Sequence, residues 1–244
     1  MDIEAFWEYT DPGASEVRFA QAAVAAAGDA RLELLTQLAR TYSLRGRFVE
    51  AHKLLDDVES KLDGAGPAVH ARYMLERGRT YNSAKDVEHA RPLFVAAWNL
   101  ARAGQLTGLA VDAAHMVAIT HTGTPEGIAW NRLGLSVARN AVDPKALALV
   151  PAMLNNAAWD LHTLKRYDEA LTYFEEAETE WLARGKPKQI QVAKWSVARC
   201  LRSLGRHREA LAIQQALAAE HKAAGTADKY VDEEIAANLA ALAK

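Results

Sequence analysis

Along this chain, apolar positions come in pairs, a small residue followed one helical turn later by a larger one. The pairs recur at intervals of about 40 residues. The segments Ser43–Ala51, Asn82–Ala90, His121–Ala129, His162–Ala170 and Arg202–Ala210 align, and their terminal alanines lie 39, 39, 41 and 40 residues apart. Twelve residues before each alanine stands Ala39, Gly78, Val117, Ala158 or Ala198. Three residues after that comes Tyr42, Tyr81, Thr120, Leu161 or Leu201. Four residues beyond each terminal alanine stands Leu55, Phe94, Leu133, Phe174 or Gln214. Spacings of three and four place the members of each pair on one face of a helix.

Each unit therefore predicts two helices joined by a short polar turn, the small residues letting them approach and the large ones filling the space beside the contact. Gly46, Gly123 and Gly205 fall in the turns, where the backbone reverses. Thr124 followed by Pro125 reads as a capping residue with proline at the first helical position. One hairpin cannot bury its own apolar face, so neighbours must stack. Asp11-Pro12 predicts a further helix start, running through Ser15 to Ala27, and a last helix is expected from about Ala227 to Ala243. Phe6, Trp7 and Tyr9 precede the first helix and are expected to seal the open N-terminal edge.

These marks resemble the tetratricopeptide repeat (TPR) family over about residues 30 to 225. One copy shows Gly78, Tyr81, Ala90 and Phe94, another Ala158, Leu161, Ala170 and Phe174. The resemblance implies an all-α fold, a right-handed alpha-alpha superhelix: a TPR-like solenoid of antiparallel helix hairpins. It would form a single domain over 1–244, with an N-terminal segment and capping helix at 1–29, five hairpins at 30–226 and a C-terminal capping helix at 227–244. The units are longer than the family's usual ~34 residues and match long-unit bacterial-type repeats. The helix-terminating proline is mostly missing, although Pro187 follows one unit. A HEAT-like array, with a period of about 40–47, is the alternative; the small-residue register favours TPR.

Composition agrees with a folded helical chain: half the residues are apolar, a quarter charged, with 7 prolines and 14 glycines. Alanine, the strongest helix former, dominates many segments. With 29 basic against 31 acidic side chains, the net charge of −2 lacks the basic excess that phosphate binding requires, which argues against a nucleic-acid partner. A single cysteine, Cys200, leaves no internal disulfide framework and reads as a small buried residue. No secretory signal or apolar run of about 18 residues is present, so a cytoplasmic chain without a membrane partner is expected.

No catalytic or metal constellation emerges. His115 and His121 are six apart, on different faces of a helix, whereas a zinc pair needs three or four. Asp112 and His115 are within reach of a structural hydrogen bond. His52 and Glu59 lack metalloprotease spacing, and Gly64-Ala-Gly66-Pro67 follows no strand and reads as a linker. No cofactor is implied, and an enzyme has no support.

What remains is a ligand face. In TPR proteins the first helix of each hairpin lines the concave side. The resemblance carries that role to Arg40, Arg79, Asn82, His121, Asn155, Asn156, Trp159, His162, Trp195, Arg199 and Arg202. Asparagine can bond an extended backbone, arginine a carboxylate, and tryptophan offers a broad apolar platform. The expected function is a protein- or peptide-binding scaffold, its partner acidic or carboxylate-terminated. The alternative is a peptide-responsive regulatory sensor whose solenoid changes shape on binding. Lysines that hold a terminal carboxylate elsewhere in the family are largely Arg and His here.

Overall fold

The computed structural model describes residues 2–243, and every regular element among them is helical. After a short 3-10 helix, Ile3–Phe6, come α1 (Pro12–Ala25), α2 (Gly28–Leu44), α3 (Phe48–Glu59), α4 (Pro67–Ser83), α5 (Val87–Ala103) and α6 (Thr107–Ile119). Then follow α7 (Pro125–Arg139), α8 (Pro144–Ala148), α9 (Val150–Thr163), α10 (Tyr167–Arg184), α11 (Pro187–Ser203), α12 (His207–Ala223) and α13 (Lys229–Leu242). The expected first and last helices are both present, each ending within two residues of its predicted limits.

The turns within the hairpins share one design. After α2, α4, α9 and α11, a backbone N–H reaches back five residues: Arg47 to Tyr42, Asp86 to Tyr81, Arg166 to Leu161 and Arg206 to Leu201, each at 2.9 Å. This closes the helix end with a left-handed residue and satisfies carbonyls that would otherwise lack a donor. Gly46 and Gly205 take that conformation at φ 73° and 75°, whereas Lys85 and Lys165 hold it at 69° and 60° with side chains attached.

The chain divides into two compact units. The first runs to Thr120 and takes in Ser136–Leu147; the second holds His121–Leu135 and the chain from Ala148 onward. In the first, Gly78 shows why a small residue recurs. A Cβ there would lie 2.6 Å from Cε1 of Phe94, so α4 and α5 meet with the ring against bare backbone. Phe94 is fully buried, as are Ala51, Leu55 and Ala90. Burying a side chain of that size contributes roughly 1.5–3 kcal/mol. Asp143 holds Ser136–Leu147 to the start of α6, accepting from Gly108 N at 2.8 Å.

At the N-terminal end Ile3 and Trp7 are buried with Phe19 of α1 and Leu34 and Leu38 of α2. The Trp7 and Phe19 rings meet edge-on at 5.0 Å, and Phe6 lies 5.7 Å from Phe19. Two of the three N-terminal aromatics thus cover the first hairpin. Tyr9 stacks outside Trp7 and stays exposed.

In the second unit, Ala158 and Leu161 of α9 pack with Ala170 and Phe174 of α10 and with Val197, Cys200, Leu201 and Ala210. The third repeat corrects the sequence register. Ala129 and Leu133 are exposed, and Gly127 and Asn131, two residues earlier, are buried, as are Ile128 and Leu135. A Cβ at Gly127 would lie 2.5 Å from the His121 carbonyl oxygen and 2.9 Å from Asp160 Oδ2, so only glycine fits this approach. Asp160, also buried, accepts from Gly123 N at 2.6 Å and from Asn131 Nδ2 at 3.4 Å. A polar contact stands where the period predicts an apolar pair, beside the apolar packing of Ile128 against Ala158 and Leu161. The Thr124–Pro125 start is as expected, with Thr124 Oγ1 accepting from Gly127 N at 3.2 Å.

Candidate ligand-binding face

The period of the repeats brings like positions of successive first helices side by side. In the first unit Gln37 of α2 and Glu76 of α4, 39 residues apart, are hydrogen-bonded at 3.1 Å. Glu33 and Arg72, again 39 apart, pair at 2.7 Å.

Around Glu76 the sequence-predicted Arg40 and Arg79 come together. Arg79 donates to Glu76 Oε1 at 2.7 Å and bonds Asp112 of α6, and Arg40 Nη1 lies 3.8 Å from Glu76. The Arg40 guanidinium also sits 5.1 Å above the Trp7 ring. Burial works to raise the Asp112 pKa, but Arg79 and Arg40 beside it win, holding the carboxyl below its usual range. His115, three residues on, is pushed toward its neutral form by burial and by Arg79, against the pull of Asp112. Although the Tyr9 side chain is more than half exposed, partial desolvation of its hydroxyl and the hydrogen bond to Glu4 raise its pKa to about 12. In this first cluster the cations meet carboxylates of the same fold, while Arg40 Nε and Glu76 Oε2 are buried without a hydrogen-bond partner.

Asn82 and His121 lie at helix ends and not in that network. The carbonyl of Asn82 accepts from Lys85 N at 3.0 Å in the α4–α5 turn, and that of His121 from Thr124 N at 3.1 Å.

The second unit gathers most of the remaining predicted residues. Asn155 and Asn156 are half-buried on α9. Trp159 packs edge-on against Phe174 at 4.9 Å, and its ring lies 5.2 Å from His162 and 6.1 Å from Trp195 of α11. Both tryptophans are half-exposed. His162 Nε2 shares a 2.9 Å hydrogen bond with Ser203 Oγ, which also accepts from Arg199 Nη1 at 2.8 Å. Burial lowers the His162 pKa, and Arg199 and Arg202 lower it further.

Arg202 makes a two-pronged contact with Glu234 of α13, at 2.7 and 2.9 Å, and Arg199 Nε lies 3.2 Å from the same carboxylate. Glu234 is only 7% exposed. Sequence reading missed Glu234, Asp112 and Trp7 as partners of these arginines. The only available signal was the period itself, since Asp112 and Glu234 follow Arg79 and Arg202 by 33 and 32 residues, short of one repeat.

Chemically, the arrangement offers aromatic surface and buried ion pairs. Cys200 donates to the Tyr167 carbonyl at 3.3 Å, and burial pushes its thiol up to about 11, away from the reactive thiolate. Among the described residues no three His, Cys, Asp or Glu side chains stand close enough to hold a metal, and no helix is long and apolar enough to cross a membrane.

Residues 152–177, spanning most of α9 and the start of α10, match the family model described as tetratricopeptide repeat. Among solved structures the chain is similar to the apo form of RapI, with a TM-score of 0.75 at 11% identity over 95% of this chain and 65% of that one. It is similar to nearly identical TPR-like repeats from Podosopora anserina, with a TM-score of 0.64 at 16% identity over 78% of this chain and 93% of that one. It also resembles NprR in complex with its cognate peptide NprX, with a TM-score of 0.59 at 13% identity over 99% and 70% of the two chains. No curated protein matches the chain in sequence. One repeat of the chain thus matches the tetratricopeptide-repeat model in sequence, and the chain shares the helical-repeat fold of these structures.

Proposed function

We propose that the chain is a binding module for a protein or peptide segment, which lies against the first helices of the second unit's hairpins within one five-repeat domain. The observation that carries this reading is the Trp159–Trp195 pair. Two large aromatic rings from successive first helices stand side by side, half-exposed, with His162 and Arg199 beside them. Half-buried tryptophans flanked by hydrogen-bonding groups are the residue types on which binding energy concentrates. The likeness to NprR, solved with a peptide, supports a peptide as the class of ligand.

Selectivity for an acidic or carboxylate-terminated segment is the finer part of the proposal. It requires Arg199 and Arg202 to exchange part of their contact with Glu234 for a carboxylate of the ligand. The reading tested first is a passive module, with no change of dimensions by small-angle scattering on saturation. A change in dimensions favours the sensor alternative.

Pull-down from the native lysate, followed by fluorescence titration of segments of the captured partner, tests the binding face. Trp159→Ala is expected to weaken binding at least tenfold while the helical circular dichroism persists. Unchanged affinity would place the ligand elsewhere.

A further inference from the structure

Polar side chains, more than apolar ones, hold α13 to the last hairpin. Its buried residues are Val231, Glu234 and Asn238, while Tyr230, Leu239 and Leu242 stay about half exposed. The equally long α9 buries Val150, Met153, Leu154 and Leu161 among others. Asn238 Oδ1 shares a 3.1 Å hydrogen bond with His207 Nδ1 of α12, and Glu234 takes Arg199 and Arg202 of α11. A helix attached in this way gives up little hydrophobic stabilisation on leaving, and its carboxylate and the two guanidinium groups regain water when it does.

The surface under α13 is also imperfectly filled. A cavity of about 400 Å³ lies where α11, α12 and α13 meet, with Leu217 of α12 and Val231 of α13 in its lining. Gln214 is fully buried, and neither its Nε2 nor its Oε1 has a hydrogen-bond partner among the described residues. It follows His207 by seven residues and precedes Leu217 by three, so all three share one face of α12. Along that face α13 lies, through Asn238 and Val231. Other hairpins carry Leu55, Phe94 or Phe174 at the position of Gln214. Protein interiors are close-packed and their polar groups paired, so the void and the unpaired amide both weaken this junction. Both penalties are relieved when α13 lifts and water enters.

We propose that α13 is a reversible clasp beside the ligand face. It lifts from α11 and α12 as one unit about the exposed residues 224–227, while the hairpins stay folded. Docked, it keeps Arg199 and Arg202 on Glu234. Lifted, it frees both guanidinium groups, so docking of α13 and binding of a segment through these arginines oppose each other. The inference rests on the binding-module reading and adds to it the element that regulates the face.

Hydrogen exchange of the full chain, followed by mass spectrometry, tests the clasp without a partner. Amides of α13 are expected to exchange at least tenfold faster than those of α11 and α12, and as one block. Protection equal to that of α12, or protection that declines gradually toward Leu242 as in a fraying end, overturns the clasp. Val231→Ala removes the one apolar residue that α13 buries and is expected to speed the block at least fivefold. Gln214→Leu, which brings in a residue used by other hairpins, is expected to slow it by a similar factor. Rates unchanged in both variants overturn the clasp. Hexaglutamate at low salt probes the freed arginines. It is expected to bind Val231→Ala at least threefold tighter than the parent, and to speed α13 exchange in the parent. Equal binding by the two proteins, or none by either, overturns the release of Arg199 and Arg202. If Trp159→Ala loses the captured partner while hexaglutamate leaves α13 exchange unchanged, the clasp fails and the binding-module reading stands. If Trp159→Ala keeps full affinity while the block still responds to Val231→Ala, the reading of the face fails and the lifting of α13 stands.

Discussion

The indole Nε1 of Trp7 donates to Gln37 Oε1 at 3.2 Å, joining the segment before α1 to the first helix of the first hairpin. Gln37 passes the connection to Glu76, and Glu76 to Arg79 and Asp112. A residue outside the repeats is thus the first member of a polar chain through three of their helices. Trp7 also fills the space beside Phe19, so its removal takes away both packing and a hydrogen-bond donor. Trp7→Ala is expected to cost about 3–5 kcal/mol. Trp7→Phe keeps most of the packing and leaves Gln37 Oε1 without its donor, at a cost of about 1–3 kcal/mol. Urea unfolding of the three proteins measures both, and equal midpoints would show that the segment merely rests on the fold.

Lys85 and Lys165 occupy the left-handed turn position that Gly46 and Gly205 hold elsewhere. A side chain in that conformation is strained by about 1–2 kcal/mol, part of which glycine gives back through its greater freedom when unfolded. Lys165→Gly is therefore expected to stabilise the chain by roughly 0.5–1 kcal/mol, an uncommon direction for a glycine substitution. Thermal unfolding followed by circular dichroism gives the sign. A lower melting temperature would mean that the lysine side chain contributes more than its strain.

The contrast between those turns and the third repeat shows what a sequence can carry. Hairpins built on Gly78 and Phe94, or on Ala158 and Phe174, were legible because small and large residues at fixed spacing have one use in a helix pair. The third repeat was legible in its period but not in its register. There, glycine and asparagine at 127 and 131 answer a buried aspartate, Asp160, that arrives 29 residues after Asn131. Nothing in the local pattern distinguishes Ala129 from Gly127 until that partner is in place. The candidate face divides in the same way. Residue type and position picked out Trp159, Trp195, Arg199 and Arg202, but whether an arginine awaits a ligand or already has a carboxylate depends on α13, which lies outside the repeat pattern.

Stability should fall as the pH drops below neutrality, before the carboxylates begin to titrate. Burial lowers the pKa of His52, His115 and His162 in the folded chain, with neighbouring arginines acting in the same direction. In the unfolded chain these groups take up a proton near the ordinary value of about 6.5. Between that value and their lower folded values the unfolded state binds more protons, so folding weakens with each step downward. Above about 6.5 both states are neutral and the histidines contribute no slope. His115→Gln is expected to flatten the decline between about pH 5 and 6.5. Urea midpoints across that interval test it, and an unchanged slope would remove His115 from the account.

Glu234 holds Arg199 and Arg202 together, and its carboxylate is buried on α13. If the ligand is acidic, that carboxylate competes with it for the same two guanidinium groups. Glu234→Gln keeps the shape and most of the hydrogen bonding while removing the competing charge. Affinity for an acidic segment is then expected to rise severalfold, with steeper salt dependence, because the released cations act on the ligand instead. Folding should weaken by about 1–3 kcal/mol, since neighbouring arginines lose a charged partner. Arg202→Ala acts oppositely on binding and also destabilises, by about 1–3 kcal/mol, because a buried carboxylate keeps only Arg199 as its partner. Titration of both variants at low and high salt separates the two roles of the cluster. Should Glu234→Gln leave affinity and salt dependence unchanged, these arginines serve the attachment of α13 and not the ligand, and recognition rests on the tryptophans.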